Sequence, residues 1–130
     1  MNELNRVARF ATAHYPNARN WPDGKMYSLL KWADLNGFLA VIMDYHRPVG
    51  VLFAKPVSNL LDADGDGFDF DGDTIYVRMA VAKNKEIMRM LGAAALNNWG
   101  LRQKLAYKTR GKLKVRDYKK TLTALFKHHG

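Results

Sequence analysis

Apolar residues recur along this chain with two different periods, and each change of period marks a new element. Positions three or four residues apart are apolar over Asn2–His14 and again over Lys25–Asn36, which predicts two amphipathic helices. Segment 16–24 between them is rich in proline, asparagine and glycine and predicts a loop. The chain is therefore expected to open with a helical pair.

Short, continuous apolar runs replace the helical period from Phe38 onward. Phe38–Tyr45 and Val51–Val57 are rich in branched residues, and Arg47–Gly50 between them contains a proline and a glycine. This pattern predicts an antiparallel hairpin with its turn at Arg47–Gly50. Because both runs are apolar on both faces, helices are expected on both sides of the sheet.

The stretch Thr74–Trp99 combines a strand with a helix. Alternating residues predict a central strand over Thr74–Ala82, and an apolar stripe predicts a helix that ends at Trp99. Asn84 is placed to cap this helix. Glu86 lies in its first turn, where a negative charge suits the helix dipole.

The last third of the chain predicts a strand over Lys104–Thr109, a turn at Arg110–Lys112, a brief extended stretch and a closing helix that includes Tyr118. The resulting order is helix, helix, strand, strand, strand, helix, strand, helix. This order predicts one layered α/β domain over residues 1–130. Its central sheet is expected to be mostly antiparallel, with helices on both faces.

The acidic segment before the central strand has two interpretations. Asp62, Asp64, Asp66, Gly67 and Asp73 fall at positions of a calcium-binding loop, in which oxygen ligands alternate along the chain. The flanking segments are strand-like, however, and Asp71-Gly72 is a hairpin turn signal. We favour an exposed acidic hairpin tip and assign no metal ligands.

Composition adds a strong and localised positive charge. The formal net charge is +9, and the chain has no cysteine, which excludes disulfides and thiolate metal sites. Residues 1–100 hold 11 lysines and arginines against 11 acidic residues, whereas residues 101–130 hold ten against Asp117 alone. Such a block attracts phosphate or nucleic acid. The candidate contacts are Lys112, Lys114, Arg116, Lys119 and Lys120. A solvated basic surface without a specific partner is the alternative.

The sequence shows no signal for membrane insertion or secretion. Its longest purely apolar run, Phe38–Met43, is far shorter than the about 20 residues that span a bilayer. We expect a soluble protein without a membrane partner, located in the cytoplasm or within a phage virion.

The element order from about residue 25 to residue 127 resembles the Gcn5-related N-acetyltransferase (GNAT) family. Arg89-Met90-Leu91-Gly92-Ala93-Ala94 also satisfies that family's loop pattern of Gln or Arg, two residues, Gly, one residue, then Gly or Ala. The resemblance implies a GNAT-like fold, acetyl-CoA as cofactor and an amine as acyl acceptor. It also implies that the pyrophosphate binds at the start of the helix after the central strand.

The resemblance implies roles for particular residues. The implied cofactor-binding residues are Val81, Lys83, Asn84, Lys85, Arg89 and Gly92. Tyr118 is implied as the acid for the departing thiolate, and Glu86 or Asp73 as the base for the amine. Tyr118 also fits the apolar stripe of the closing helix, so a core tyrosine is the alternative.

Two functions follow from these patterns, and whether the protein is an enzyme stays open. The first is an acetyl-CoA-dependent N-acetyltransferase. The second is a non-enzymatic basic protein on a decayed GNAT-like scaffold, either a phage virion component that contacts other virion proteins or a nucleic-acid-associated protein. The absence of glycine from Lys83-Asn84-Lys85 and the concentrated positive charge are compatible with the second, which is the alternative to the first.

Overall fold

The computed structural model describes residues 3–127, and its helices and strands follow the predicted order with one addition. The brief extended stretch predicted before the closing helix is a fifth strand, Lys112–Asp117. The predicted cap at Asn2 lies outside the described residues. The elements are α1 (Glu3–His14), α2 (Lys25–Leu35), β1 (Leu39–Asp44), β2 (Arg47–Val57), β3 (Thr74–Ala82), α3 (Lys85–Trp99), β4 (Lys104–Thr109), β5 (Lys112–Asp117) and α4 (Tyr118–Lys127). Two short 3₁₀ helices, Pro16–Ala18 and Leu60–Asp62, lie in the connections.

The strands form one mixed five-stranded sheet in the order β1-β2-β3-β4-β5. β1 pairs antiparallel with β2, and β4 pairs antiparallel with β5. β3 and β4 are parallel, and the register joins Thr74–Val77 to Lys104–Tyr107. A parallel pair needs a long crossover connection, and α3 supplies it. The predicted layered α/β class is therefore confirmed.

The first hairpin turns earlier than the sequence predicts. β2 already begins at Arg47, and the tight turn is formed by Tyr45 and His46, with Tyr45 at a φ of +58°. Pro48 is paired with Met43 inside the ladder, where the register shifts between Ile42 and Met43. Proline is tolerated at such a bulge although it lacks an N–H group. The predicted turn at Arg47–Gly50 is wrong because its proline marks a bulge.

The described chain divides into two units. Unit 1 comprises residues 3–53 and 79–91, and unit 2 comprises residues 54–78 and 92–127. In unit 1, the rings of Trp32 and Phe53 lie 6.0 Å apart, so α2 covers the face of β2 that carries Phe53. A Cβ built on Gly50 would lie 2.5 Å from a methyl group of Ile87, so α3 covers the opposite face. Helices thus lie on both faces of β2 in unit 1.

Unit 2 has its own buried cluster, formed by Val57, Ala63, Tyr76 and Ala106. These residues come from β2, the acidic segment, β3 and β4, so the segment before β3 is part of this core. Residues 58–73 contain no strand, and the backbone turns at Asp69–Gly72, where the N–H of Gly72 donates to the carbonyl of Asp69 at 2.8 Å. The acidic segment is a folded loop without strands, so the predicted hairpin at Asp71-Gly72 is wrong, although Asp71 is exposed.

Candidate functional site

The start of α3 is held by a side-chain cap. The Asn84 side-chain oxygen accepts a hydrogen bond of 2.9 Å from the N–H of Ile87, and its carbonyl accepts one of 3.1 Å from the N–H of Met88. The predicted cap is thereby confirmed. The amides of Lys85 and Glu86 have no carbonyl partner within the helix, because the first turn of any α-helix lacks one. They give this end of α3 a partial positive charge.

Close packing against β2 fixes where this helix start lies in unit 1. The N–H of Lys83 donates to the carbonyl of Val49 at 2.9 Å, which ties the end of β3 to β2. The Ile87 side chain occupies the space that a side chain at position 50 would need. Gly50 therefore belongs to the architecture of the site, although the sequence pattern suggests only a turn residue.

Two lysines flank the capped start of α3 in the sequence, and Glu86 lies in its first turn. Lys83, Asn84 and Lys85 are exposed, whereas Val81 is buried in β3. Arg89 forms an ion pair of 2.9 Å with Glu86, in which the Arg89 side chain is 16% exposed and the Glu86 side chain 69%. The two exposed lysines and the helix start can bind an anion such as a pyrophosphate. Glu86 is available as a base only when it leaves Arg89.

Gly92 lies in unit 2, in the middle of α3 and against α4. A Cβ at this position would lie 2.7 Å from Leu125 and within 3.8 Å of Leu122 and Phe126. The glycine therefore lets two helices approach closely. Its implied contact with a cofactor stays a prediction, and its observed neighbours are apolar.

Tyr118 is the first residue of α4 and is 1% exposed. Its hydroxyl is buried and has no hydrogen-bond partner among the described residues. Burial raises the pKa of the Tyr118 hydroxyl above its ordinary value, and the positive charge of Arg102 partly opposes this rise. The group therefore stays protonated at neutral pH. Its implied role as an acid stays a prediction.

The five predicted phosphate contacts lie on β5 and the first turn of α4 in unit 2. Four of them are exposed, and Lys114 is half-buried. Lys112, Lys114 and Arg116 are alternate residues of β5 and therefore share one face of an edge strand. Asp117, the only acidic residue of the block, caps α4 by accepting a hydrogen bond of 2.9 Å from the N–H of Lys120. The structure thus places these five cations on adjacent elements.

Other cations of the same block hold the acidic loop in place. Arg102 donates from its guanidinium to the carbonyls of Phe70, Gly72 and Trp99 at 2.9, 2.6 and 2.9 Å. The Lys108 ammonium pairs with the Asp64 carboxylate, which lowers the pKa of Asp64. Arg102 and Lys108 therefore stabilise the fold. The number of charges in the sequence does not distinguish such structural cations from those that are exposed to a ligand.

Lys55 is a buried cation that the sequence pattern does not reveal. Its side chain lies within unit 2 and is 1% exposed. Its ammonium donates to the carbonyls of Asp62 and Gly65 at 2.8 and 2.5 Å. Burial lowers the pKa of Lys55, and the negative charges of the nearby aspartates partly oppose this decrease.

Within residues 3–127, no three histidine, aspartate or glutamate residues are grouped so that they could hold a metal ion. The calcium-like part of the sequence surrounds an ammonium group.

A second positive cluster in unit 1 was also missed. Arg6 and Arg9 from α1 line a cavity together with His46, Arg47 and Pro48 from the first hairpin. The two segments are 40 positions apart, and the local charge balance gives no signal of their meeting.

Comparison with protein-family models, curated proteins and solved structures gives no match to this chain. The resemblance to the GNAT family stays a prediction. Among the described residues, none of the helices combines the length and apolar character that crossing a membrane requires.

Proposed function

We propose that the chain is a GNAT-like acyl-CoA-binding protein that transfers an acyl group to an amine. The observation that carries this proposal is the capped, positively charged start of α3 at the end of β3, formed by Lys83, Asn84 and Lys85. The parallel pairing of β3 with β4 across α3 supports it, because ligands of α/β folds bind beyond the carboxyl ends of strands.

The chemistry of the helix start suits a pyrophosphate. The amides of Lys85 and Glu86 and the ammonium groups of Lys83 and Lys85 offer donors and positive charge to its oxygens. Acetyl-CoA would supply an acyl group on a thioester sulfur. The observed neighbours of Gly92 are Leu122, Leu125 and Phe126 of α4, and its implied phosphate contact stays a prediction.

Glu86 is proposed to move a proton in the transfer. The amine must lose a proton when its nitrogen bonds to the acyl carbon, and Glu86 can accept it once the ion pair with Arg89 opens. The bond between the acyl carbon and the thioester sulfur breaks, and the departing thiolate can take its proton from water. The role of Tyr118 as an acid stays a prediction from the resemblance.

Thermal unfolding tests this proposal with two ligands that carry the same acyl group. Acetyl-CoA contains the pyrophosphate, and S-acetylpantetheine does not. A ligand that binds only the folded state raises the melting temperature. We expect acetyl-CoA to raise it and S-acetylpantetheine at equal concentration to leave it nearly unchanged. An unchanged melting temperature with millimolar acetyl-CoA would refute the proposal.

The exposed cations of β5 favour a second function, binding of nucleic acid without catalysis. Lys112, Lys114 and Arg116 lie on one face of the edge strand, and Lys119 and Lys120 follow on α4. Within residues 3–127, none of these five forms an ion pair with a carboxylate. They therefore offer positive charge to a phosphate backbone. This second function includes that of a phage virion component that contacts nucleic acid or other virion proteins.

Salt dependence distinguishes this second function. Binding of a fluorescent oligonucleotide should weaken steeply as salt increases, because each phosphate contact releases counterions. The double variant Lys112→Gln/Arg116→Gln should bind more weakly and show a smaller salt slope. Arg19→Gln/Lys31→Gln, which removes two exposed cations of unit 1, is the matched control. Equal losses in both variants, or binding insensitive to salt, would contradict a site on β5.

A further inference from the structure

An open surface cavity of about 420 Å³ lies in unit 1, between α1 and the first hairpin, and its arginine and histidine side chains are exposed. Arg6, Arg9, His46, Arg47 and Pro48 line it. Four of the five lining residues therefore carry cationic or titratable nitrogen groups. Such a composition is unusual for a small-molecule pocket, in which apolar side chains predominate. It indicates a ligand that is itself strongly polar and negative.

The cavity is formed by α1 and the first hairpin, and contacts within unit 1 hold both in place. Arg6 and Arg9 are three positions apart on α1, so their side chains lie on neighbouring parts of one helix face. The opposite face of α1 is anchored in the core by Val7 and Ala11. A guanidinium nitrogen of Arg6 lies 3.4 Å from the backbone carbonyl of His46 and donates to it. This contact joins α1 to the tight turn.

The tight turn places His46 and Arg47 in the lining of the same cavity. Tyr45 adopts a left-handed backbone conformation with a φ of +58°, which reverses the chain within two residues. Arg47 then begins β2 opposite Asp44 of β1. Neither Asp44 nor Glu3, the acidic residues nearest in sequence to the lining arginines, lines the cavity. The lining thus contains three guanidinium groups and an imidazole, and no carboxylate.

We propose that this cavity binds a phosphate group. A guanidinium is planar and offers paired N–H donors that match two oxygens of a phosphate, and guanidinium groups from α1 and from the first hairpin can contact one dianion together. His46 can add a further donor from its ring. The volume exceeds that of a bare phosphate, so the group can belong to free phosphate or to the phosphate of a small ester such as a nucleotide.

This inference does not rest on acyl-CoA binding at α3. It involves α1 and the first hairpin, and its probes contain neither an acyl group nor a pyrophosphate. The variant Lys83→Glu/Lys85→Glu should therefore leave phosphate binding at the cavity within about twofold of wild type, whereas it should weaken the binding proposed at α3 about tenfold or more. The two proposals can then fail separately.

Amide chemical shifts and calorimetry with inorganic phosphate, AMP and adenosine test the inference. We expect phosphate and AMP to bind, with the largest shifts at Arg6, His46 and Arg47, and adenosine not to bind. Arg6→Gln and Arg47→Gln should each weaken binding about tenfold or more, because each removes a charge-assisted hydrogen-bond donor. Arg19→Gln, at an exposed position of unit 1 outside the cavity, should bind as wild type does.

Each result of these binding experiments either supports or overturns the inference that the cavity binds a phosphate group. Equal affinity for phosphate and AMP would support the inference and show that the phosphate group alone is recognised. Tighter binding of AMP would support it and add a contact to the nucleoside. Three results would overturn it: no binding of either phosphate probe at millimolar concentration, adenosine binding as tightly as AMP, or equal losses in Arg19→Gln and Arg47→Gln. Circular dichroism of each variant ensures that a lost affinity is not a lost fold.

Discussion

The buried ammonium of Lys55 donates a hydrogen bond of 2.8 Å to the backbone carbonyl of Asp62. A second bond from the same ammonium reaches the carbonyl of Gly65. Two backbone carbonyls of the acidic loop are thus engaged by a side chain from β2. The acidic loop folds around a cation that the protein itself supplies.

Replacing that cation should destabilise the fold. Lys55→Met keeps an unbranched apolar side chain but leaves the carbonyls of Asp62 and Gly65 without their donor. We expect the free energy of unfolding to fall by about 1–3 kcal/mol, measured by urea denaturation. Lys31→Met, on the exposed surface of α2, should change it much less. A Lys55→Met variant as stable as wild type would contradict this expectation and show that the desolvation cost of the ammonium cancels the gain from its hydrogen bonds.

Calcium should not stabilise the wild-type protein. A ligand raises the melting temperature only when it binds the folded state more tightly than the unfolded state. Because the Lys55 ammonium contacts two carbonyls of the loop, a divalent cation there would meet charge repulsion. Melting curves with millimolar calcium and with a chelator should coincide. A higher melting temperature in calcium would revive the interpretation of Asp62–Asp73 as a metal site.

Asp64 should make a pH-dependent contribution to stability. The hydrogen bond from Lys108 lowers its pKa below 3.8, the ordinary value. A carboxyl group whose pKa is lower in the folded state contributes stability above its unfolded pKa, and this contribution is lost as the pH falls through the folded value. Wild type should therefore exceed Asp64→Asn in stability at pH 7, and the difference should shrink below pH 3.8.

Urea denaturation at pH 7 and below pH 3.8 measures the stability difference between wild type and Asp64→Asn. Asp71→Asn removes an exposed carboxylate from the same loop and controls for the change in net charge. The Lys108–Asp64 pair is largely exposed, so a small effect is expected. A stability difference that grows as the pH falls would contradict the ion pair.

Substitutions of Gly92 should depend strongly on size. Alanine favours a helix by about 1 kcal/mol over glycine, and its Cβ would displace only the terminal methyl group of Leu125. We expect Gly92→Ala to lie within about 1 kcal/mol of wild type. Gly92→Leu should lower the free energy of unfolding by about 1–3 kcal/mol, because it separates α3 from α4.

Ala93→Leu is the matched control for Gly92→Leu, because residue 93 is exposed on the same helix. Thermal or urea unfolding gives the comparison. If Gly92→Leu and Ala93→Leu are equally stable, the close packing of α4 on Gly92 is not important for the fold.

The bounds of β3 and β4 could be predicted from the sequence because the run of strand-forming residues is a local pattern. Thr74–Ala82 and Lys104–Thr109 match the predicted strands residue for residue. The turn of the first hairpin could not be placed in this way. Pro48 gives the same local signal at a bulge as in a turn, and only the pairing with Met43 distinguishes the two.

The sequence predicts only those parts of the candidate site whose residues are close together in the chain. The cap by Asn84 involves residues within one helical turn, so its spacing appears in the sequence. Lys55, Gly50 and the cluster around Arg6 depend on segments that meet after folding. No local pattern distinguishes a lysine that binds loop carbonyls from one in solvent. The sequence therefore predicts the start of α3 better than the sites formed by distant segments.

Calorimetric titration of acetyl-CoA into wild type and Lys83→Glu/Lys85→Glu tests the proposed function most directly. Arg19→Glu/Lys31→Glu, with the same charge change on exposed positions of unit 1, is the control. We predict that wild type and the control bind acetyl-CoA with similar affinity, and that the Lys83→Glu/Lys85→Glu variant binds about tenfold more weakly or not at all. Absence of binding to wild type at millimolar acetyl-CoA, or equal affinity in all three proteins, would contradict the account.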